Sequence, residues 1–265
     1  MNTDHHPLDD RLPAMLRSGR RLRGVFNSLP SPAIVEMCGY AGFDFVIIDN
    51  EHGSAGFETT ENMLRAARAS GIVPVVRCLR HDICRVLDMG ASAVQIPMVA
   101  SAEEARDLVA QVRYPRDGRR GSAFSPRAAG YGAFPGVAHT QRSNAGIALI
   151  VMIETIDAVA QAAEIAAVPG VDAVFVGPND LSHAMGFGSD WTSAPVMAEI
   201  ERALRAVAAA GNCGGVIALS PEDEDRFGAW GARYFAGVTT GLITQAFRQA
   251  SAAGGRLEAA GRLSY

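Results

Sequence analysis

The chain of 265 residues contains no lysine, and its 24 basic residues are all arginine. Without a side-chain amine, imine catalysis on a carbonyl substrate is excluded. Cysteine is scarce as well: Cys38, Cys78, Cys84 and Cys213 lie far apart with no C-x-x-C pair. Neither a disulfide framework nor a structural zinc site is expected, and a reducing cytoplasm is the expected compartment. No apolar run approaches the roughly 20 residues of a membrane span, and Met1 to Asp10 is too polar for a secretory signal. An excess of positive charge is also missing, since 24 basic residues face 28 acidic ones for a net charge of -4. That balance argues against nucleic acid or an anionic membrane as partner and leaves small molecules as the ligand class. What is present is ordinary globular composition, 48% hydrophobic and 20% charged.

Short β-branched runs alternate with amphipathic stretches almost from end to end. Strands are expected over 24–27, 44–49, 73–77, 93–97, 148–154, 171–177, 215–219 and 234–238. Helices are expected over 32–42, 58–70, 82–90, 102–113, 157–168, 194–210, 221–231 and 240–253. The strand runs are continuously apolar, the mark of a parallel sheet covered on both faces. Eight strands with eight followers imply an α/β fold, a single (β/α)8 TIM barrel, and the length agrees with the roughly 250 residues such a barrel takes. The expected organisation is one domain over 1–265, with an N-terminal extension at 1–20 and a C-terminal helix and tail at 239–265. The segment 113–146 breaks the rhythm. It is long, cationic and aromatic, and reads as an active-site or subunit-contact loop.

In such a barrel the active site lies at the C-terminal ends of the strands. Those ends carry Asn27, Asp49-Asn50-Glu51-His52-Gly53, Arg77, Gln95, Glu154 and Gly177-Pro178-Asn179-Asp180. Two apolar runs stop at carboxylates, Glu154 and Asp180, where Arg77 is the one base of the set. Two hard oxygen ligands with room for water and substrate oxygens suit Mg²⁺, Mn²⁺ or a similar ion. His52 is expected to bond Asp49, which would fix its tautomer and raise its basicity. Ile217 and Leu219, ending the seventh strand, are candidates to line the pocket for the distal half of a substrate. Gly214 and Gly215 precede that apolar run, so they are expected at the stability face and not in a phosphate loop.

Phe43 to Gly53 (FDFVIIDNEHG), Pro74-Val75-Val76-Arg77, Leu87-Asp88-Met89-Gly90-Ala91, Gln95-Ile96-Pro97-Met98-Val99, Arg113-Tyr114-Pro115, Ile153-Glu154-Thr155 and Val174 to Ser182 (VFVGPNDLS) together resemble the HpcH/HpaI aldolase family over roughly 24–253. The resemblance implies a class II, metal-dependent pyruvate aldolase on a TIM barrel. Its reaction would be retro-aldol cleavage of a 4-hydroxy-2-oxo acid to pyruvate and an aldehyde through a metal-stabilised enolate. By analogy Glu154 and Asp180 would hold Mg²⁺, Mn²⁺ or Co²⁺, Arg77 would stabilise the enolate oxygen, and His52, oriented by Asp49, would handle protons. Backbone N–H groups of Gly177 to Asp180 would receive the substrate carboxylate. Asp88 would reach a neighbouring subunit's active site; on the residues alone it is a solvated helix face. The C-terminal helix would be exchanged between subunits of a homo-oligomer, a hexamer built as a trimer of dimers.

Met152 stands two residues before Glu154, where the heptanedioate aldolases carry Gln, which leaves the aldehyde open. Two alternatives share the scaffold, oxaloacetate decarboxylation and cleavage of a CoA-linked β-hydroxy acid. The latter needs a basic groove, which 113–127 alone could supply. A phosphate-binding barrel without aldolase activity is a third. A nucleotide-dependent dehydrogenase is disfavoured because no G-x-G-x-x-G follows a strand.

Overall fold

Eight short parallel strands close into a barrel in chain order: β1 (Leu22–Asn27), β2 (Phe45–Asp49), β3 (Val73–Arg77), β4 (Ala93–Ile96), β5 (Ala148–Ile153), β6 (Ala173–Val176), β7 (Cys213–Ile217) and β8 (Ala232–Val238), with β8 pairing back onto β1. The computed structural model describes residues 6–252. Around the barrel run helices α1 (Leu12–Arg17), α2 (Pro32–Tyr40), α3 (Phe57–Ser70), α4 (Ile83–Asp88), α5 (Ala102–Val112), α6 (Val137–Gly146), α7 (Ile156–Ala160), α8 (Ala162–Ala166), α9 (Pro178–Ala184), α10 (Ala194–Ala209), α11 (Pro221–Ala229) and α12 (Thr239–Ala252). The (β/α)8 barrel read from the alternation is therefore the observed fold.

Side-chain alternation sorts each strand into two apolar sets. Val46 and Ile48 of β2, Val76 of β3 and Val151 and Ile153 of β5 pack outward against helices. Phe45 and Ile47, Val73 and Val75, Ala148, Ile150 and Met152, and Phe175 face the lumen. The next residues of that inward parity are Asp49, Arg77, Glu154 and Gly177, so the strands that fill the barrel also aim these groups at its mouth.

The lower lumen is an aromatic plug. Phe45 stacks on Tyr234 with ring centroids 4.1 Å apart, and Phe175 meets Tyr234 edge-on at 6.0 Å. Small residues make room for these rings. A Cβ on Gly215 would lie 2.7 Å from Tyr234 Cδ1 and 2.8 Å from Phe175 Cδ2, and one on Gly24 would overlap the Phe45 ring. The expected N-terminal extension contributes α1, whose Leu12 and Leu16 join the lumen cluster and close the floor.

Three expectations about elements are corrected. β7 begins at Cys213, so Gly214 and Gly215 lie within the strand, where Gly215 admits the aromatic plug and a Cβ on Gly214 would lie 3.1 Å from Leu204 of α10. The helix expected over 157–168 is broken at Gln161 into α7 and α8. The segment 113–146 is not one loop: it holds a 3₁₀ stretch at Arg127–Gly132 and α6. The tail expected after Ala252 lies outside the described residues.

Candidate active site

A cavity of about 430 Å³ opens at the C-terminal end of the lumen, with Asp49, His52, Arg77, Glu154, Gly177, Pro178, Asn179, Asp180 and Ile217 in its lining. The cavity thus gathers nearly all the candidates that were scattered along the chain.

Its first half is an ion-pair corner. Parallel register sets Asp49 directly beside Arg77. Arg77 Nε donates to Asp49 Oδ1 at 2.9 Å and its Nη2 to Oδ2 at 2.5 Å. Nη1 lies 3.3 Å from Glu51, and the guanidinium sits 4.8 Å from the Phe26 ring centroid. Two parallel charge-assisted bonds fix the orientation of Arg77. This corrects the expected Asp49–His52 side-chain pair. Asp49 Oδ1 instead accepts the backbone N–H of Glu51 and of His52, at 3.1 and 3.2 Å, and so shapes the turn that carries His52. A forked guanidinium on the adjacent strand takes the carboxylate with two parallel charge-assisted bonds, which an imidazole cannot match. The His52 ring is 64% exposed at the rim, with Glu51 its nearest carboxylate at 3.9 Å.

The second half is a carboxylate pair without a base in contact. Glu154 is 3% exposed, and its Oε2 accepts the Met98 backbone N–H at 2.8 Å. Met98 presents that N–H from a left-handed conformation, φ 55°. A Cβ on Gly177 would overlap Glu154 Oε1, so glycine is what lets this carboxylate fit. Burial pushes the Glu154 carboxyl up to about 7; the Met98 N–H opposes this, and the neighbouring Asp180 charge adds to it. Asp180 sits in the first turn of α9, exposed to the cavity, with no hydrogen bond or ion pair among the described residues. Neither carboxylate is a helix cap or an Arg77 partner.

The donor set fits a hard cation. A buried carboxylate that burial disfavours as an anion, facing a second unpartnered one, is stabilised by a positive charge between them. No cluster of three or more His, Cys, Asp or Glu that could hold a metal occurs among the described residues. Glu154 and Asp180 would therefore supply two ligands and leave the others to water and substrate oxygens, as Mg²⁺-type ions prefer.

The backbone donors are fewer than expected. Gly177 N–H is engaged by Ile153 O at 3.1 Å, and Pro178 has none. The N–H groups of Asn179 and Asp180 remain at the start of α9. Ile217 lines the cavity, but Leu219 does not: β7 ends at Ile217, and Leu219 is 62% exposed on the outer side of the barrel. Asp88 lies away from the cavity, at the end of α4, where Arg120 Nη2 donates to it at 2.7 Å. Phe26, Ser28, Met152, His183 and Ser189 also line the cavity. Phe26, Ser28 and Met152 continue the inward parity, a signal present in the sequence. His183 and Ser189 depend on how α9 and its following loop fold.

Four of the five arginines of 113–127 are engaged within the fold, while Arg116 is exposed and lines a separate cavity with Pro115, Asp117 and Asn144. Arg113 Nη1 donates to Ile147 O at 2.9 Å, Arg119 pairs with Asp107, Arg120 is 2% exposed over the Tyr114 ring, and Arg127 Nη1 donates to Met89 O at 2.8 Å. Among the described residues, no helix is long and apolar enough to cross a membrane.

A family model described as HpcH/HpaI aldolase/citrate lyase matches residues 22–246. A hydroxypyruvate/pyruvate aldolase of Delftia acidovorans is 39% identical over 238 residues, 88% of this chain and 88% of its own. A 4-hydroxy-2-oxo-heptane-1,7-dioate aldolase of Salmonella arizonae is 37% identical over 255 residues, 94% of this chain and 95% of its own. Among solved structures, an HpcH/HpaI aldolase/citrate lyase family protein of Burkholderia cenocepacia superposes with a TM-score of 0.88 at 31% identity, over 94% of this chain and 100% of that one.

Proposed function

The chain belongs to the HpcH/HpaI aldolase/citrate lyase family and is a carbon–carbon lyase, and from that premise we propose that it cleaves a 4-hydroxy-2-oxo acid to pyruvate and an aldehyde. The observation that carries the reading is the buried, unpaired Glu154 beside Asp180, a pair that calls for a divalent cation. Mg²⁺, Mn²⁺ or Co²⁺ held there would supply Lewis-acid stabilisation of negative charge on the keto oxygen.

The chain's own groups do the rest. Arg77, locked by Asp49, donates to the keto oxygen as the C3–C4 electron pair moves into the enolate. Its preorganised fork needs no rearrangement when that charge appears. His52 takes the proton of the C4 hydroxyl as C4 becomes the aldehyde carbonyl, and a proton then returns to C3 to give pyruvate. The N–H groups of Asn179 and Asp180 orient the carboxylate beside Gly177 and Pro178. Ile217 faces the aldehyde half. The CoA-linked alternative is less well supported, because four of the five arginines in 113–127 are engaged within the fold and Arg116 is left exposed at a separate cavity.

Assembly follows the same reading. Helix α12 buries only Thr239 and leaves Leu242 48% and Phe247 70% exposed. A groove of about 180 Å³, lined by Val25, Phe43, Phe235 and Leu242, lies open over β1 and β8. Exchange of α12 between subunits of a hexamer built as a trimer of dimers would cover such surface, with Asp88 turned toward a neighbour. Light scattering tests this, and a monomeric mass would reject it. The four unpaired thiols suit a cytoplasmic enzyme.

Exchange of pyruvate methyl protons into D₂O, followed by NMR on EDTA-stripped protein given each metal in turn, tests the chemistry without knowledge of the aldehyde. Exchange that requires metal and disappears in Arg77→Ala supports the reading. No exchange with any metal in the folded protein would overturn it.

A further inference from the structure

The cavity has an uncharged wall that none of these roles uses. His183 lies one turn after Asp180 on α9 and lines the cavity. Residues three apart share a helix face, so His183 follows the same side of α9 as Asp180. Its imidazole makes no hydrogen bond or ion pair among the described residues. Ser189 reaches the same wall by a fold-back of the chain. Gly186 and Gly188 adopt φ of 83° and 59°, backbone conformations that glycine reaches freely. Gly186 N–H donates to His183 O at 3.0 Å and Phe187 N–H to Ser182 O at 2.9 Å, closing the loop over the end of α9.

Charge decides what this wall can receive. The cavity lining holds three carboxylates, Asp49, Glu154 and Asp180, and one guanidinium, Arg77, which is bidentate to Asp49. With histidines counted as neutral, the lining carries two negative charges in excess, which a divalent cation would bring to zero. A bound 2-oxo acid then makes the loaded site negative. An acceptor with its own carboxylate or phosphate meets that charge without a free cation in the lining, whereas a hydroxyl can exchange hydrogen bonds with imidazole and serine.

We propose that His183 and Ser189 form the acceptor subsite and select an uncharged, hydroxylated aldehyde. This subsite presupposes the pyruvate aldolase reading of the same cavity. His183 is a specificity-determining residue here: its ring nitrogens bind a hydroxyl of the aldehyde, while bond cleavage belongs to the other half of the cavity.

The test is aldol addition of pyruvate to glyceraldehyde, propanal and succinic semialdehyde, with pyruvate proton exchange measured alongside under the same metal. The wild-type enzyme is expected to favour glyceraldehyde over both others in kcat/KM. His183→Ala is expected to lower kcat/KM for glyceraldehyde about tenfold, chiefly through KM, and that for propanal less than about threefold, the scale of one hydrogen bond to a neutral partner. The loss on glyceraldehyde should also exceed any loss in pyruvate exchange, and His183→Asn, which keeps a donor and an acceptor, should restore part of it. Equal losses on glyceraldehyde and propanal, or a wild-type preference for succinic semialdehyde, would overturn the subsite while leaving the aldolase. Absence of pyruvate exchange in the wild-type protein with every metal would overturn the aldolase reading and the subsite with it.

Discussion

The two ends of the barrel lumen are built from the same strands and the same inward parity, yet they treat polar groups in opposite ways. At the floor, polar atoms are few and neutral: Tyr234 O–H donates to Gln95 Oε1 at 3.4 Å amid stacked rings. At the mouth, one or two inward positions further along β2, β3 and β5, the chain places Asp49, Arg77 and Glu154. Within the mouth there is a second contrast. Asp49 is neutralised by a bidentate arginine, while Glu154 is buried with a backbone N–H and a second carboxylate for company. Stability is thus concentrated where the lumen is closed and apolar, and the unfavourable electrostatics are concentrated where a cation and a substrate enter.

The sharpest way to break this contrast is at the two acids' partners. Glu154→Gln should lower turnover about a thousandfold, the scale of losing a Lewis-acid ligand, while urea denaturation shows stability unchanged or raised, because a disfavoured anion has been removed. Arg77→Ala should lose activity to a similar degree and also about 3 kcal/mol of stability, because Asp49 is left charged, buried and unpaired. A stability loss in Glu154→Gln matching that of Arg77→Ala would erase the distinction between the two halves.

The floor offers the converse test. Gly215→Ala forces a methyl group against Tyr234 and Phe175 and should cost about 2 kcal/mol by overpacking. Its kcat/KM should stay within a few-fold of wild type in an aldolase assay on the folded fraction. The smallest effect is the pH dependence. Glu154 in the cation-free protein holds its proton until about pH 7, and the cation needs the carboxylate form. Affinity for Mn²⁺, measured by titration calorimetry, should therefore rise through pH 7 to a plateau, and fall by about tenfold for each unit well below pH 7. Affinity independent of pH between 5 and 8 would contradict the raised carboxyl.

The strands were readable because burial on both faces forces long β-branched runs, and the mouth was readable because each such run stops at a polar residue of fixed parity. That logic found Asp49, Arg77, Glu154 and Gly177. It placed β7 two residues too late, because Gly214 and Gly215 carry no apolar side chain to mark a strand, and only the fold shows Tyr234 and Phe175 filling the space at Gly215 and Leu204 that at Gly214. Leu219 was carried out of the site by that same shift. The partner of Asp49 was missed because strand register, which is not local in sequence, sets Arg77 beside it. Arg120 and Arg127 look like surface residues of a loop, but tertiary packing buries both, one over Tyr114 and the other on Met89 O.

The sequence by itself determined the barrel, the reading of which residues end its strands, and the exclusion of lysine-based chemistry, since these depend on composition, on the alternation of apolar runs and on parity along a single strand. Only the tertiary structure decided which charges meet, how many backbone donors remain free at α9, and that His183 and Ser189 share a wall with Asp180. Each of those depends on distances between segments far apart in the chain, or on a glycine's φ, and pairwise electrostatics falls off too steeply with distance for sequence spacing to stand in for it.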